Sequence, residues 1–265
     1  MPRDNRTPVD HMPAIVVLAA PGLIPAVLTN ALAQAFRGRV IVIKERPEGP
    51  FAVARRRARR LGPVTALGQL GTAIASRLMK KTSRTRMDAI LAAHGRRPEL
   101  NLDVPRLSVT SVNDAETRSA IARLKPGVIV TIACRLIGRE TLAAAPCPII
   151  NFHAGINPAY RGQMGGYWAL ALADPDNFGA TIHLVDAGID TGATLYEVRP
   201  KPDPADSMAT YPLLLAVAGV ERLIQAVDDA LSGNLKPVQT TGPSALHYPP
   251  TIWRWLWTGI RRGIW

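Results

Sequence analysis

The chain has 265 residues, of which 47% are apolar and 20% charged, and a formal net charge of +12. That composition is ordinary for a globular protein large enough to bury one sizeable core, and too apolar for a disordered chain. Two cysteines, Cys134 and Cys147, have no metal-like spacing, which argues against a disulfide scaffold or a zinc site and fits a reducing cytoplasm.

Residues 1–11 are polar and unpatterned, so they read as a loose leader, with Met12 as an alternative start. A buried-strand pattern follows over 14–19, then a helix over 24–36 and a second strand over 39–44. Strand, helix, strand is a βαβ unit and predicts a parallel sheet. Arg3 and Arg6 before an apolar run ending in Asn30-Ala31-Leu32-Ala33 also resemble a secretory signal. Pro21, Gly22 and Pro25 break that run, and cleavage there would delete the first strand and helix, so the βαβ reading is preferred. The first turn, from Ala19 to Leu23, lacks the G-x-G phosphate cradle.

Residues 51–97 hold twelve of the 32 Lys/Arg and, at Asp88, one of the 20 acids, so they carry +11 of the net charge. The bases flank an apolar centre over 64–75 that is too short and too glycine-containing to cross a bilayer. A basic helical insertion is expected. It could pack its apolar side on its own domain, lie on an anionic membrane surface, or contact RNA.

Strands are predicted over 107–110 and 128–132, the latter central by its β-branched density. A helix between them has Asn113 or Asp114 as its cap. The run Pro148-Ile149-Ile150 reads as the end of a buried strand delivering Asn151 and His153, two residues apart and therefore on one face, into a Gly/Pro-rich loop. A second run, over 180–185, leads to Asp186 and Asp190. Acyl transfer to an amine needs a donor where the oxyanion develops, a base for the attacking ammonium, and a carboxylate to orient the base. Asn151, His153 and Asp190 are residues of those three kinds. No serine or cysteine stands beside them, which favours direct transfer over an acyl-enzyme. Another strand is expected over 195–198 and a long helix over 208–231, stopped at Gly233.

The stretch Asn151-Phe152-His153, Pro158-Ala159-Tyr160-Arg161-Gly162, Trp168-Ala169-Leu170, 179–186 and Gly188-Ile189-Asp190-Thr191-Gly192 resembles the folate-dependent formyltransferases. That family includes glycinamide ribonucleotide transformylase, methionyl-tRNA formyltransferase and the sugar N-formyltransferases. The resemblance implies a Rossmann-like α/β fold, with a mostly parallel central sheet flanked by helices. It places Asn151, His153 and Asp190 on the family's catalytic residues, with 10-formyltetrahydrofolate as formyl donor and no metal. It also implies a donor pocket between two loops, with Arg135, Leu136 and Ile137 on one and Val185, Asp186 and Ile189 on the other. Arg135 precedes Asn151 by sixteen residues, as in family members. Where the family commonly carries a serine after the histidine, this chain has Gly155, and His183 matches a position that is often histidine.

The resulting expectation is a catalytic domain over 13–235, with the insertion at 51–97, and a short aromatic and basic tail over 236–265. Four of the five tryptophans lie in that tail, at 253, 255, 257 and 265, beside Arg254, Arg261 and Arg262. Their spacing of two fits neither a clean helix face nor a lone strand. With the insertion, they point to peripheral attachment at the inner face of an anionic membrane. The missing glycine-rich turn disfavours glycinamide ribonucleotide, and about thirty residues after the last helix are too few for a tRNA-binding barrel. The expected acceptor is therefore an amino sugar on a nucleotide or lipid carrier. A purine-pathway acceptor, a formyltetrahydrofolate hydrolase and a non-catalytic membrane-associated binding protein are the alternatives.

Overall fold

A computed structural model describes residues 12–265; the leader over 1–11 lies outside the described residues. In chain order the elements are β1 (Ile15–Ala19), α1 (Leu23–Ala35), β2 (Val40–Glu45), α2 (Pro50–Leu61), α3 (Pro63–Thr82) and α4 (Arg84–Ala93). Next come β3 (Arg106–Val109), α5 (Ala115–Leu124), β4 (Val128–Ile132), α6 (Arg139–Ala144), β5 (Ile149–His153), β6 (Arg161–Gly162) and α7 (Gly165–Ala171). The chain continues through β7 (Ala180–Leu184), β8 (Thr194–Val198), α8 (Tyr211–Ser232), β9 (Leu246–His247) and α9 (Ile252–Arg262). Asp114 caps α5 by accepting the Thr117 N–H.

The main sheet has seven strands in the order β3-β2-β1-β4-β5-β7-β8. The first five run parallel, and β7 and β8 are antiparallel additions at one end. Strands buried on both faces need near-continuous apolar sequence, which Ile15–Ala19 and Val128–Ile132 supply. Ile15, Val17, Val42, Val128, Val130, Ile150 and Phe152 point to one face and pack against α1 and α8. Val16, Leu18, Ile43, Ile129 and Ile149 point to the other, against α5 and α6. The mostly parallel sheet flanked by helices is the architecture expected from the sequence.

Two details differ from expectation, and a third, the direction of β7, was not addressed by it. Asn151 and His153 are strand residues rather than loop residues, because β4 pairs with β5 as far as Phe152 and β7 as far as His153. β7 runs antiparallel, with Leu184 beside Ile150, so the loop after it must double back to bring Asp190 to His153. The tail folds as helix α9. Residues two apart on a helix point to nearly opposite sides and residues four apart to the same side, so Trp255 is buried while Trp253 and Trp257 are exposed.

The basic insertion is helical throughout α2, α3 and α4, and it packs on the tail. Gln69 Nε2 donates to the Pro249 carbonyl at 2.9 Å, and Thr72 Oγ1 to that of Pro250 at 2.7 Å. A Cβ at Gly68 would stand 2.4 Å from the Trp253 ring, so glycine is what lets α3 and α9 meet there. The last residue is also tied in, its carbonyl accepting the Met208 N–H. Among the described residues no helix is long and apolar enough to cross a membrane.

Candidate active site

Register places the polar residues. Thr131 of β4 lies beside Asn151 of β5, which lies beside His183 of β7. All three point to the face opposite Ile150 and Phe152, forming a polar row across the sheet. Thr131 Oγ1 donates to Asn151 Oδ1 at 2.8 Å, which fixes the amide's orientation. Asn151 Nδ2 then faces His183 Nε2 at 3.0 Å and donates to Asp190 Oδ1 at 3.3 Å. His183 Nδ1 donates to the Leu184 carbonyl at 2.7 Å, and its Nε2 also lies 3.4 Å from Asp190 Oδ1.

His153 sits one pleat further along β5. Its Nε2 donates to the Tyr160 carbonyl at 2.7 Å, so Nδ1 carries the lone pair and stands 3.5 Å from Asp190 Oδ2. Burial lowers the pKa of the His153 ring against the opposing pull of the Asp190 charge. The ring is thus neutral and basic at physiological pH, beside a carboxylate that would stabilise its protonated form. Asp190 occupies left-handed backbone (φ 50°), which aspartate tolerates better than most residues. Burial raises its pKa, but His183, His153 and the Gly162 N–H, donating at 2.8 Å, outweigh that and hold it at about 2. Gly155 lies against this pair: an added Cβ would meet the Tyr160 carbonyl at 2.5 Å and His153 Nε2 at 2.6 Å.

These residues open into a cavity of about 920 Å³, near the upper end of the usual range for small-molecule sites. The structure brings all nine sequence-predicted site residues to its lining. Leu136 is exposed there, while Ile137 and Val185 pack into the core below. The Asp186 carboxylate shapes its own loop, accepting from the Gly188 N–H and the Thr191 hydroxyl. Ile189 takes part through its carbonyl, which accepts from Arg161 at 3.1 Å. The Arg135 side chain spans neighbouring strand ends. It pairs with the buried Glu45 carboxylate at 3.0 Å and donates to the Thr110 and Arg46 carbonyls.

Sequence reasoning missed two walls. Helix α2 of the insertion lines the cavity with Arg56, Arg57 and Arg60. Arg56 pairs with Glu48, whereas Arg57 has no carboxylate partner among the described residues and donates to Gln163 at 3.3 Å. Burial, and then the neighbouring Arg56 charge, lower the Arg57 pKa, so this guanidinium would gain from an anion. Arg60 lies over the Tyr248 ring at 5.4 Å. The second wall is the tail, where His247 stacks between Tyr160 and Trp168 at 5.3 Å from each. A lone histidine in a Pro-rich stretch gives no sequence signal, but the run of arginines did.

The formyl transferase family model matches residues 69–227, more than half of the chain. A methionyl-tRNA formyltransferase of Anaeromyxobacter dehalogenans is 32% identical over 143 residues, covering 54% of this chain and 46% of that protein. The chain spans about half the length of the curated relatives it matches. Among solved structures, a phosphoribosylglycinamide formyltransferase from Anaplasma phagocytophilum superposes with a TM-score of 0.56 at 16% identity, covering 84% of this chain and 89% of that one. An N-formyltransferase from Helicobacter canadensis, solved with folinic acid and dTDP-3-aminofucose, gives 0.55 at 11% identity, covering 88% and 70%. Those two likenesses establish a shared fold, and the family match, which spans the Asn151, His153 and Asp190 cluster, makes this chain a member of the formyl transferase family.

Proposed function

We propose that the protein transfers a formyl group from 10-formyltetrahydrofolate to the primary amine of an amino sugar on a phosphate-bearing carrier. The observation that carries this reading is Asp190, which joins Asn151, His153 and Gly162 on the wall of a cavity that also holds Arg57. When bound, the folate supplies the one-carbon unit. Its fit rests on the exposed Leu136 side chain, the half-buried Val185 and the Asp186 to Ile189 loop, an apolar slot with polar edges suited to a flat heterocycle. The cavity is large enough for donor and acceptor together.

His153 Nδ1 takes the proton that the attacking amine gives up as its new bond to the formyl carbon forms, and returns it to the nitrogen that leaves. Asp190 stabilises the ring while it holds that proton. Asn151 donates to the oxygen where negative charge develops, exchanging its longer contact, the one to Asp190, for this bond. Arg57 and Arg60 face the acceptor and suit a phosphate or diphosphate. The nucleotide-sugar ligand of the Helicobacter canadensis structure agrees with such an acceptor. Residues 13–235 would form the catalytic unit, with the tail closing its cavity. The enzyme would work in the cytoplasm, at the inner face of a membrane when the carrier is a lipid.

An aminoacyl-tRNA acceptor is the second reading, favoured by the names of the curated relatives. An acceptor screen with 10-formyltetrahydrofolate separates the two. Its arms are amino-sugar nucleotides, glycinamide ribonucleotide, methionyl-tRNA and no acceptor, each run with the parent and His153→Ala. The proposal requires His153-dependent formylation of the sugar amine. Formate release without an acceptor would instead indicate a hydrolase, and formylation of tRNA alone would overturn the sugar assignment.

A further inference from the structure

We infer that α3 and α9 together form a docking surface for an anionic lipid bilayer. On α3, Val64, Leu67, Leu70, Ile74 and Leu78 fall within one third of the helix circumference and are all exposed. On α9, Trp253, Leu256, Trp257 and Ile260 share a face in the same way, opposite the buried Trp255. These nine side chains are between 42% and 75% exposed. The two stripes adjoin, because Trp253 rests on Gly68 and Ile252 on Gly71. A contiguous apolar face of two helices exceeds the scattered surface apolar residues that need no explanation.

Charge complementarity selects the occupant. Exposed Arg77 and Lys81 border the α3 stripe, and exposed Arg254 and Arg261 flank that of α9, where Arg261 also lies over the Trp257 ring at 4.4 Å. Helices α2 to α4 contain one acid, Asp88, and residues 236–265 contain none. Tryptophan and leucine on one side with arginine along the border match a helix lying in the headgroup region, its basic side chains reaching anionic phosphates. A second copy of the chain would bring like charges together with almost no carboxylate to offset them. Nucleic acid would leave Leu67, Ile74, Leu78 and Ile260 without an apolar partner. The inference rests on this surface alone and stands or falls independently of the proposed acceptor.

The test is sedimentation of the full chain with vesicles of phosphatidylcholine alone and with phosphatidylglycerol added, alongside tryptophan emission. Binding is expected with the anionic vesicles and should weaken as salt rises, with a blue shift from Trp253 and Trp257. The double variant Trp257→Glu/Ile260→Glu should lose binding by about tenfold or more. Leu102→Glu, at an exposed leucine outside both helices, should not change it. Thermal unfolding of each variant shows that the fold persists. Equal binding by the double variant and the parent would overturn the inference. So would self-association through this face without vesicle binding, or tRNA binding that the double variant loses while vesicles are ignored.

Discussion

Asp190 Oδ2 stands 3.5 Å from His153 Nδ1, while the other nitrogen of that ring is committed to the Tyr160 carbonyl. Only Nδ1 is therefore free to exchange a proton, and in the proposed reaction it would do so beside a carboxylate. His153→Ala should lower kcat by roughly 10²- to 10⁴-fold, the usual range for a lost general base. Asp190→Asn should also lower kcat strongly, since the charged ring loses its counter-ion. Single-turnover assays check both, and activity within threefold of the parent for either would remove the assignment.

The pH dependence follows from the same pair. His153 is held below the usual histidine range by burial, so the neutral ring predominates at pH 7 and is lost as pH falls. Activity should rise along a single acidic limb whose midpoint lies below 6.5, and that limb should vanish from the residual rate of His153→Asn. Asp190, depressed to about 2, contributes stability that is present above about pH 4 and lost as pH falls through 2. Acid unfolding of Asp190→Asn should lack that component.

Gly155 leaves no room beside the imidazole. Gly155→Ala must push aside the Tyr160 backbone or the His153 ring, because the added carbon would lie 2.5–2.6 Å from each. Overpacking of this kind typically costs about 1–3 kcal/mol. The activation free energy lost in kcat should exceed the folding free energy lost, since the displaced ring is the proposed base. Kinetics and calorimetry on the one variant compare the two.

The Arg135–Glu45 pair is a test of framework rather than chemistry. Glu45 is 4% exposed, so Arg135→Met leaves a buried carboxylate unpaired and should cost about 3–5 kcal/mol. Adding Glu45→Gln should recover a large part of it. Urea denaturation of the two singles and the double measures the coupling, and additivity would show the pair to be independent.

Arg57 bears on the acceptor. Arg57→Ala should raise KM for a phosphate-bearing acceptor by about tenfold or more while changing KM for the folate little, because one charge-assisted bond is worth about 1.5–3 kcal/mol. Arg57→Lys should recover only part, as it keeps the charge but loses the planar fork. An equal rise for both substrates would show that Arg57 shapes the whole cavity instead.

The sheet and nine of the residues that line its cavity were legible because both are written locally. β-branched runs mark buried strands, and Asn151, His153 and Asp190 fall within the one stretch, 151–192, that carries the family resemblance. The polar row from Thr131 through His183 was not legible, since it depends on how β4, β5 and β7 slide past one another. The direction of β7 was hidden for the same reason: an apolar run reads alike in either orientation. The tail's period-two tryptophans looked irregular because one of them faces inward, which only its packing on α3 reveals. The arginines of residues 51–60 were read for charge alone, and their turn toward the cavity is a tertiary fact.

Gly62, at φ 86°, is the single residue between α2, which walls the cavity, and α3, which carries the outer apolar stripe. The outer arm is fastened to the tail through Gln69 and Thr72, so this one bend sets how both arms stand. Any other residue at 62 would have to take up backbone that only glycine adopts without strain. Gly62→Val should therefore disturb the arginine wall and the outward stripe in a single step, although it touches neither.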